Sequence, residues 1–304
     1  MVGLRARETI RASGQTQSGP PAGGPAALPP GLYLVATPIG NLGDITLRAL
    51  DVLKRADVVA CEDTRVTGKL LAHYGIRARL LRYDDHSSDD ARAALLDRVR
   101  AGESVALVSD AGTPLVSDPG YKLLRAAAEA GMAIVPVPGA SAVLAALQVS
   151  ALPPDRFLFA GFLPAKSAAR KKAIAALAAV PATLVFYETG PRLAASLADL
   201  AETLGPRPAA VARELTKLFE EAKRGTLAAL AAEYRDAPPP KGEIAVVVGP
   251  PADEAASGAD VEALLVRALA AMSVRDAAAA VAEASGRPKK EVYRRALQLA
   301  ERRR

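Results

Sequence analysis

The residues of this chain best suited to chemistry sit in short loops, each following an apolar run. In SVALVSDAGTPLVSDPG (104–120) the run 105–108 stops at a loop holding Asp110 and Asp118, Gly112 and Gly120, Pro114 and Pro119. Such a run reads as a core strand of a parallel sheet, and open α/β sheets bind ligands beyond the carboxyl ends of their strands. Glycine lets a ligand approach the backbone, and proline limits the entropy lost when the loop orders. Taken alone, the same residues also make ordinary strand-to-helix turns, with Asp118 capping a helix that Pro119 begins. Three further loops tip the balance: ATPIGNLGDIT (36–46), CEDTR (61–65) and VPGAS (137–141). On one rim of a parallel sheet, Pro38, Gly40, Asp110, Ala111, Gly112, Gly139 and Ser141 would line a single small-molecule pocket. It offers backbone groups, hydroxyls and a carboxylate, which suits a zwitterionic or cationic nucleoside better than a triphosphate.

What is missing narrows the chemistry to group transfer. The chain has no GxxxxGK[ST] and no GxGxxG in its first strand-to-helix turn, which disfavours P-loop and dinucleotide enzymes. Its one cysteine, Cys61, excludes an internal disulfide, and His73 and His86 lie too far apart for a zinc-ligand spacing, so no metal is expected. A hydrolase lacks both an activated nucleophile and a metal cluster.

The elements that must position these loops alternate. Strands are predicted at 32–36, 58–61, 79–82, 105–108 and 133–137, with helices at 47–54, 66–74, 90–101, 121–130 and 141–148. This implies an α/β domain over 31–150 with a mainly parallel sheet. The prolines after Ala151 mark a hinge into a second α/β domain, 151–250, with strands at 157–160, 183–187, 209–213 and 244–248 and helices at 168–179, 193–203 and 227–234. Residues 1–30, rich in Gly, Pro, Ala, Ser and Gln, read as a disordered tail. After a small-residue linker at 249–258, three short helices (260–271, 274–284 and 289–302) close a 251–304 region.

Charge is concentrated in that last region. The chain carries a net charge of +6, and from Arg287 to Arg304 eight Lys or Arg face two Glu, so the rest is neutral. The turn SGRPKK separates the last two helices as in a helix-turn-helix, and a basic end on a neutral body is the footprint of docking on a polyanion. A helical cap with a solvated basic surface is the alternative reading of the same residues. No apolar run approaches the length of a membrane span and no secretory leader is visible, so a cytoplasmic location is expected.

TPIGNLGDIT, ACEDTR, SDAGTPLVSDPG, VPGAS, FAGFLP and ARELTK, in this order and spacing, resemble the ribosomal RNA small subunit methyltransferase I family of the tetrapyrrole methylase superfamily. The resemblance spans about residues 31–249, and the helical C-terminus is similar to that family's helix-turn-helix extension. It implies two α/β domains with S-adenosylmethionine in the cleft between them, a homodimer, and 2′-O-methylation of a cytidine ribose in the decoding region of 16S rRNA, on free RNA or the small ribosomal subunit. It also implies that Phe159, Ala160, Tyr187, Arg213, Glu214, Glu243 and Ile244 join the first-domain loops in binding the cofactor.

A sulfonium methyl is already activated, so the protein must align the 2′-oxygen with it and manage one proton. Glu62, Asp63, Glu188 and Lys217, at or just after strand ends, are the candidate acceptors, and caps, salt bridges or phosphate contacts are their alternative roles. Arg65, Arg192, Lys241 and again Lys217 are candidates for RNA phosphates, as are Lys289, Lys290, Arg294 and Arg295 of the basic end. Asp110 either meets the methionyl amino group or ties down its own loop. Two other functions share these features: a methylase of a small tetrapyrrole or protein side chain, and a ligand-sensing DNA-binding regulator.

Overall fold

The computed structural model describes residues 27–84, 86–251, 258–285 and 287–301, so most of the tail read as disordered, most of the linker and Arg302 to Arg304 lie outside the described residues. The chain divides into two compact units, Met1–Pro38 with Leu42–Ala140, and Ile39–Asn41 with Ser141–Arg304. In the first, β1 (Gly31–Val35), β2 (Val58–Cys61), β3 (Leu80–Arg82), β4 (Ser104–Val108) and β5 (Ile134–Val137) form a sheet in the order β3-β2-β4-β1-β5, all parallel. Burial on both faces explains why β2 and β4 read as unbroken apolar runs. Tyr33 and Val35 pack with Val52, Leu53 and Leu71 of α1 (Leu47–Arg55) and α2 (Thr64–His73). Leu32 points the other way, onto Leu95, Leu96, Leu123 and Ala127 of α3 (Asp89–Arg100) and α4 (Tyr121–Glu129).

This alternation determines where a ligand can enter. Strands β1 and β4 are neighbours, yet the helices that follow them lie on opposite faces of the sheet. Their loops therefore diverge and leave a crevice at the carboxyl rim, the switch point of an open α/β sheet. Three of the four helices start conventionally, Thr46, Asp63 and Ser88 each accepting a backbone N–H from the first turn. The fourth starts at Tyr121, as predicted, but after Gly120, which is left-handed at φ +117° and gives no side-chain cap, so Asp118 and Pro119 stay in the loop and Asp118 is not the cap.

The second unit opens with α5 (Ala142–Ser150), which packs on its own sheet, so the break falls ahead of the proline hinge read from the sequence. Its strands β6 (Phe157–Phe162), β7 (Thr183–Thr189), β8 (Pro208–Arg213), β9 (Glu221–Thr226) and β10 (Glu243–Val248) are ordered β6-β7-β10-β8-β9. Only β6 and β7 run parallel; the other three pairings are antiparallel. Helices α6 (Ser167–Leu177), α7 (Gly190–Leu204) and α8 (Leu227–Arg235) bury Ile174, Leu193, Leu197, Leu200 and Leu230 against Leu184, Phe186, Val211 and Val246. Strand β9, EAKRGT, carries no apolar alternation because it is a charged edge. Finally, α9 (Gly258–Ala268), α10 (Val274–Ser285) and α11 (Lys289–Glu301) share a small core of Val261, Leu265, Val281, Val292, Ala296 and Leu299.

Candidate functional site

On the first unit's rim, the loop after β4 is fastened to three neighbours. Thr37, 3% exposed, exchanges two backbone hydrogen bonds with Gly112 (2.9 and 3.1 Å), and its hydroxyl donates to the Ser109 carbonyl at 2.9 Å. Asp110 Oδ1 accepts the Asp63 N–H at 3.2 Å, joining the loops after β4 and β2. Thr113 donates to the Ala140 carbonyl at 3.1 Å, joining the loops after β4 and β5. Gly112 sits at φ +90°, where a side chain is disfavoured, and a Cβ on Gly139 would lie 3.0 Å from that of Ala36. Pro38 is buried and Ala111 exposed, while Ser141 caps α5 by accepting the Leu144 N–H. Pro38, Asp110, Ala111, Gly112 and Gly139 thus gather at the β1/β4 crevice and beside it, a cradle of backbone groups that ligand binding would not need to reorganise. Asp110 does tie loops together, the structural half of its two readings.

The second unit has its own rim. Lys217 Nζ lies 2.9 Å from both Glu214 Oε1 and Glu243 Oε2, and Glu214 Oε1 also accepts the Glu243 N–H at 3.0 Å. The lysine stem crosses Gly40, where a Cβ would sit 2.4 Å from Lys217 Cγ; Glu214 crosses Gly242 in the same way, 2.3 Å from its Oε1. Glu214 and Thr216 adopt φ of +50° and +67°, strain that persists only where the surroundings impose it. Burial opposes the charge on Lys217, but its two carboxylate partners outweigh it and push its pKa up. The Lys217 ammonium in turn holds Glu214 below the usual carboxylate range. Beside this clasp, Arg213 reaches Glu221 (3.2 Å) and the Lys241 carbonyl (3.3 Å), and Ile244 is buried in β10. Phe159 meets Tyr187 edge-on at 4.8 Å, and Phe162 meets it at 5.6 Å from beyond a bulge where Gly161 turns to φ +64°. Ala160 lies in the same bulge.

Geometry sorts the candidate proton acceptors. Glu188 is 3% exposed and is engaged by the Ser196 hydroxyl, the Thr189 N–H at 2.9 Å and Arg192 at 3.3 Å, which makes it an anchor for α7. Asp63 caps α2 and is held well below the usual carboxylate range by hydrogen bonds from Arg65. Lys217 is kept protonated and has no lone pair to offer. Glu62 is exposed and borders a cleft of about 320 Å³ with Arg82, Asp84, His86, Ser117 and Asp118. Of the cations, Arg65 is 86% exposed although paired with Asp63, and Lys241, Lys289, Lys290 and Arg294 are exposed. Arg192 is turned inward to the Leu163 carbonyl, and Arg295 bridges α11 to Glu262 of α9 and to Gln298, so both serve the fold first.

Sequence reasoning passed over Phe162, whose ring is 54% exposed, and His86, weighed only as a metal ligand. The second phenylalanine of FAGFLP was the signal for Phe162; His86 follows a three-residue strand with little pattern to read. Among the described residues no group of three or more His, Cys, Asp or Glu is placed to hold a metal, and no helix is long and apolar enough to cross a membrane.

Residues 31–231 match the family of Tetrapyrrole (Corrin/Porphyrin) Methylases, and residues 255–300 match the RsmI C-terminal HTH domain. Ribosomal RNA small subunit methyltransferase I of Mesorhizobium japonicum is 55% identical over 273 residues, covering 90% of this chain and 93% of its own length. Its counterpart from Erythrobacter litoralis is 57% identical, covering 90% and 96%. In fold, the chain is similar to cobalt precorrin-4 methyltransferase, a cobalamin biosynthetic enzyme, with a TM-score of 0.54 at 21% identity over 72% of this chain and 94% of that one.

Proposed function

The chain belongs to the tetrapyrrole methylase family, in its ribosomal RNA small subunit methyltransferase I branch, and from that premise we propose that it methylates the 2′-oxygen of a cytidine ribose in the decoding region of 16S rRNA. The observation that supports this most directly is the fastened first rim, where the β4 loop is tied to the loops after β1, β2 and β5. Backbone N–H and carbonyl groups, hydroxyls and a carboxylate, approached across glycines, fit the amino-acid and nucleoside ends of S-adenosylmethionine. That cofactor supplies an electrophilic methyl carbon on sulfur when bound. Pro38, Asp110, Ala111, Gly112 and Gly139 would hold it from the first unit, and Gly40 and Ser141 extend the same loops. Phe159, Ala160, Tyr187, Arg213, Glu214, Glu243 and Ile244 are carried by the family pattern as further contacts.

In this reading the protein contributes position and proton handling. A preformed rim fixes the approach of the 2′-oxygen without reorganisation at the moment of transfer. Of the carboxylates weighed above, Glu62 is the one that borders the cleft beside this rim. The exposed Lys289, Lys290 and Arg294 supply salt-dependent affinity for RNA phosphates. We further propose a homodimer acting in the cytoplasm, tested by sedimentation of the purified chain.

The decisive test is transfer of radiolabelled methyl from S-adenosylmethionine to small ribosomal subunits and to naked 16S rRNA, both from cells lacking the protein, with the product nucleoside identified. Label on a cytidine ribose is the expected outcome and names the substrate form. Cofactor binding without transfer to either RNA would overturn the reading in favour of a small-molecule or protein methylase.

A further inference from the structure

The cleft of the first unit lies at the carboxyl ends of β2, β3 and β4, on the rim where the β4 loop is fastened. Its wall begins with Glu62, whose neighbour Asp63 donates to Asp110, so cleft and candidate cofactor loop share a backbone junction. At about 320 Å³ it is at the small end of the range for small-molecule sites. The lining is organised by Asp84, whose carboxylate is 12% exposed. Asp84 Oδ2 accepts from Arg82 Nε at 2.9 Å, and Oδ1 accepts the His86 N–H at 3.0 Å and the Ser87 hydroxyl at 3.1 Å. One part-buried carboxylate thus places a guanidinium, 74% exposed at the mouth, and the backbone of an imidazole-bearing turn on the same cleft. The wall from the β4 loop is strained: Ser117 is left-handed at φ +56°, a conformation that non-glycine residues keep where the surroundings require it.

We propose that this cleft receives the substrate ribonucleotide, with His86 accepting the 2′-hydroxyl proton, Arg82 meeting the adjacent phosphate and Asp84 positioning both. The chemistry of the lining selects that ligand. Carboxylates at Glu62 and Asp118 accept from hydroxyl and exocyclic amino donors, which a ribonucleoside presents and a bare phosphate does not. A guanidinium at the mouth suits a phosphodiester left outside. As the ribose oxygen bonds to the methyl carbon, the electron pair of the broken carbon–sulfur bond stays on sulfur and the hydroxyl proton passes to the imidazole, so charge and atoms balance. The inference rests on the functional reading above and deepens it.

Three variants and two readouts test it. With small ribosomal subunits as substrate, His86→Asn lowers kcat by roughly 10²–10⁴-fold with KM little changed. It also removes the limb of the pH–rate profile that the imidazole produces while facing Glu62, Arg82, Asp84 and Asp118. Arg82→Ala raises KM and flattens its salt dependence while kcat holds. Asp84→Asn shows both defects, and all three leave S-adenosylmethionine affinity by calorimetry unchanged. Independently of turnover, cytidine 5′-monophosphate titrated into the cofactor-loaded protein binds saturably and shifts the His86 ring resonances, and Asp84→Asn abolishes this. Wild-type kcat and pH profile in His86→Asn would overturn the assignment, as would the absence of any His86 response to the nucleotide. If the wild type binds the nucleotide at His86 yet transfers no methyl to RNA, the cleft stands as a ribonucleotide site and the rRNA reading falls.

Discussion

Replacing Gly40 with alanine tests whether the Lys217 clasp and the first strand-end loop are one mechanical unit. The new Cβ would lie 2.4 Å from Lys217 Cγ, 2.7 Å from Cε and 3.0 Å from Cδ, and Gly40 sits at φ +151°. A flexible lysine would ordinarily swing away, but this one is held at both ends: its stem lies on the glycine and its ammonium between two carboxylates at 2.9 Å. Holding alanine at positive φ costs about 1–2 kcal/mol. Displacing the stem gives up the charge-assisted bond to the part-buried Glu214, typically about 1.5–3 kcal/mol. The bond to Glu243, 72% exposed, adds little. About 2.5–5 kcal/mol follows, a fall in thermal midpoint on the order of 5–20 °C for a unit of this size. On a Lys217→Ala background the obstruction is gone and only the backbone cost of about 1–2 kcal/mol remains. The double-mutant cycle, read by thermal and urea unfolding, should therefore show a coupling of about 1.5–3 kcal/mol between positions 40 and 217. Additive effects, within about 0.5 kcal/mol, would refute the claim that the lysine cannot yield.

Gly139→Arg forces a side chain where a Cβ already lies 3.0 Å from Ala36, so cofactor affinity by calorimetry should fall more than about tenfold while circular dichroism is unchanged; full affinity would remove the β5 loop from the site. Lys289→Glu, Lys290→Glu and Arg294→Glu together should weaken RNA binding and reduce its salt slope by about 3 while sparing cofactor affinity. An unchanged slope would return α11 to a solvated face. The Asp57 carboxyl is held below its ordinary value by hydrogen bonds from the backbone and hydroxyl of Ser104. Its folded pKa being depressed, it stabilises the fold above the unfolded value of about 3.9 and the contribution is lost as pH falls through the folded value. Asp57→Asn should therefore lower the thermal midpoint near pH 7 and draw level with the wild type as the pH falls through that folded value; a gap that persists below it would contradict the assignment.

The first sheet was legible because parallel, doubly buried strands are nearly pure runs of apolar residues: VVAC and SVALV declare themselves. Where an element is defined by its partner instead, the sequence is quiet. Strand β9 exists because β8 offers it a ladder along all six of its residues, and its own charged composition favours no strand. The start of α4 at Tyr121 was legible, but its cap was not: Asp118 and Pro119 form a good local start signal, yet the left-handed backbone at Ser117 and Gly120 keeps that segment in the β4 loop.

Site residues divide the same way. Glycines, aspartates and serines in strand-end loops could be listed from spacing alone, because the parallel sheet brings every carboxyl end to one rim. What each side chain can do there depends on partners distant in sequence. Lys217 read equally as a base and as a phosphate ligand until Glu243, 26 residues away, was seen to hold it protonated. Glu188 lost its candidacy to a serine eight residues on, where α7 brings Ser196 onto the buried carboxylate. Asp84 shows the converse: nothing in YDDHSS singles it out, yet its two oxygens orient Arg82, His86 and Ser87 at once. Motif spacing therefore identified the loops that gather on the rim, where glycine and proline leave a signature. It was silent on proton-handling groups, whose capacity to give or accept is decided by tertiary hydrogen bonds rather than by residue type.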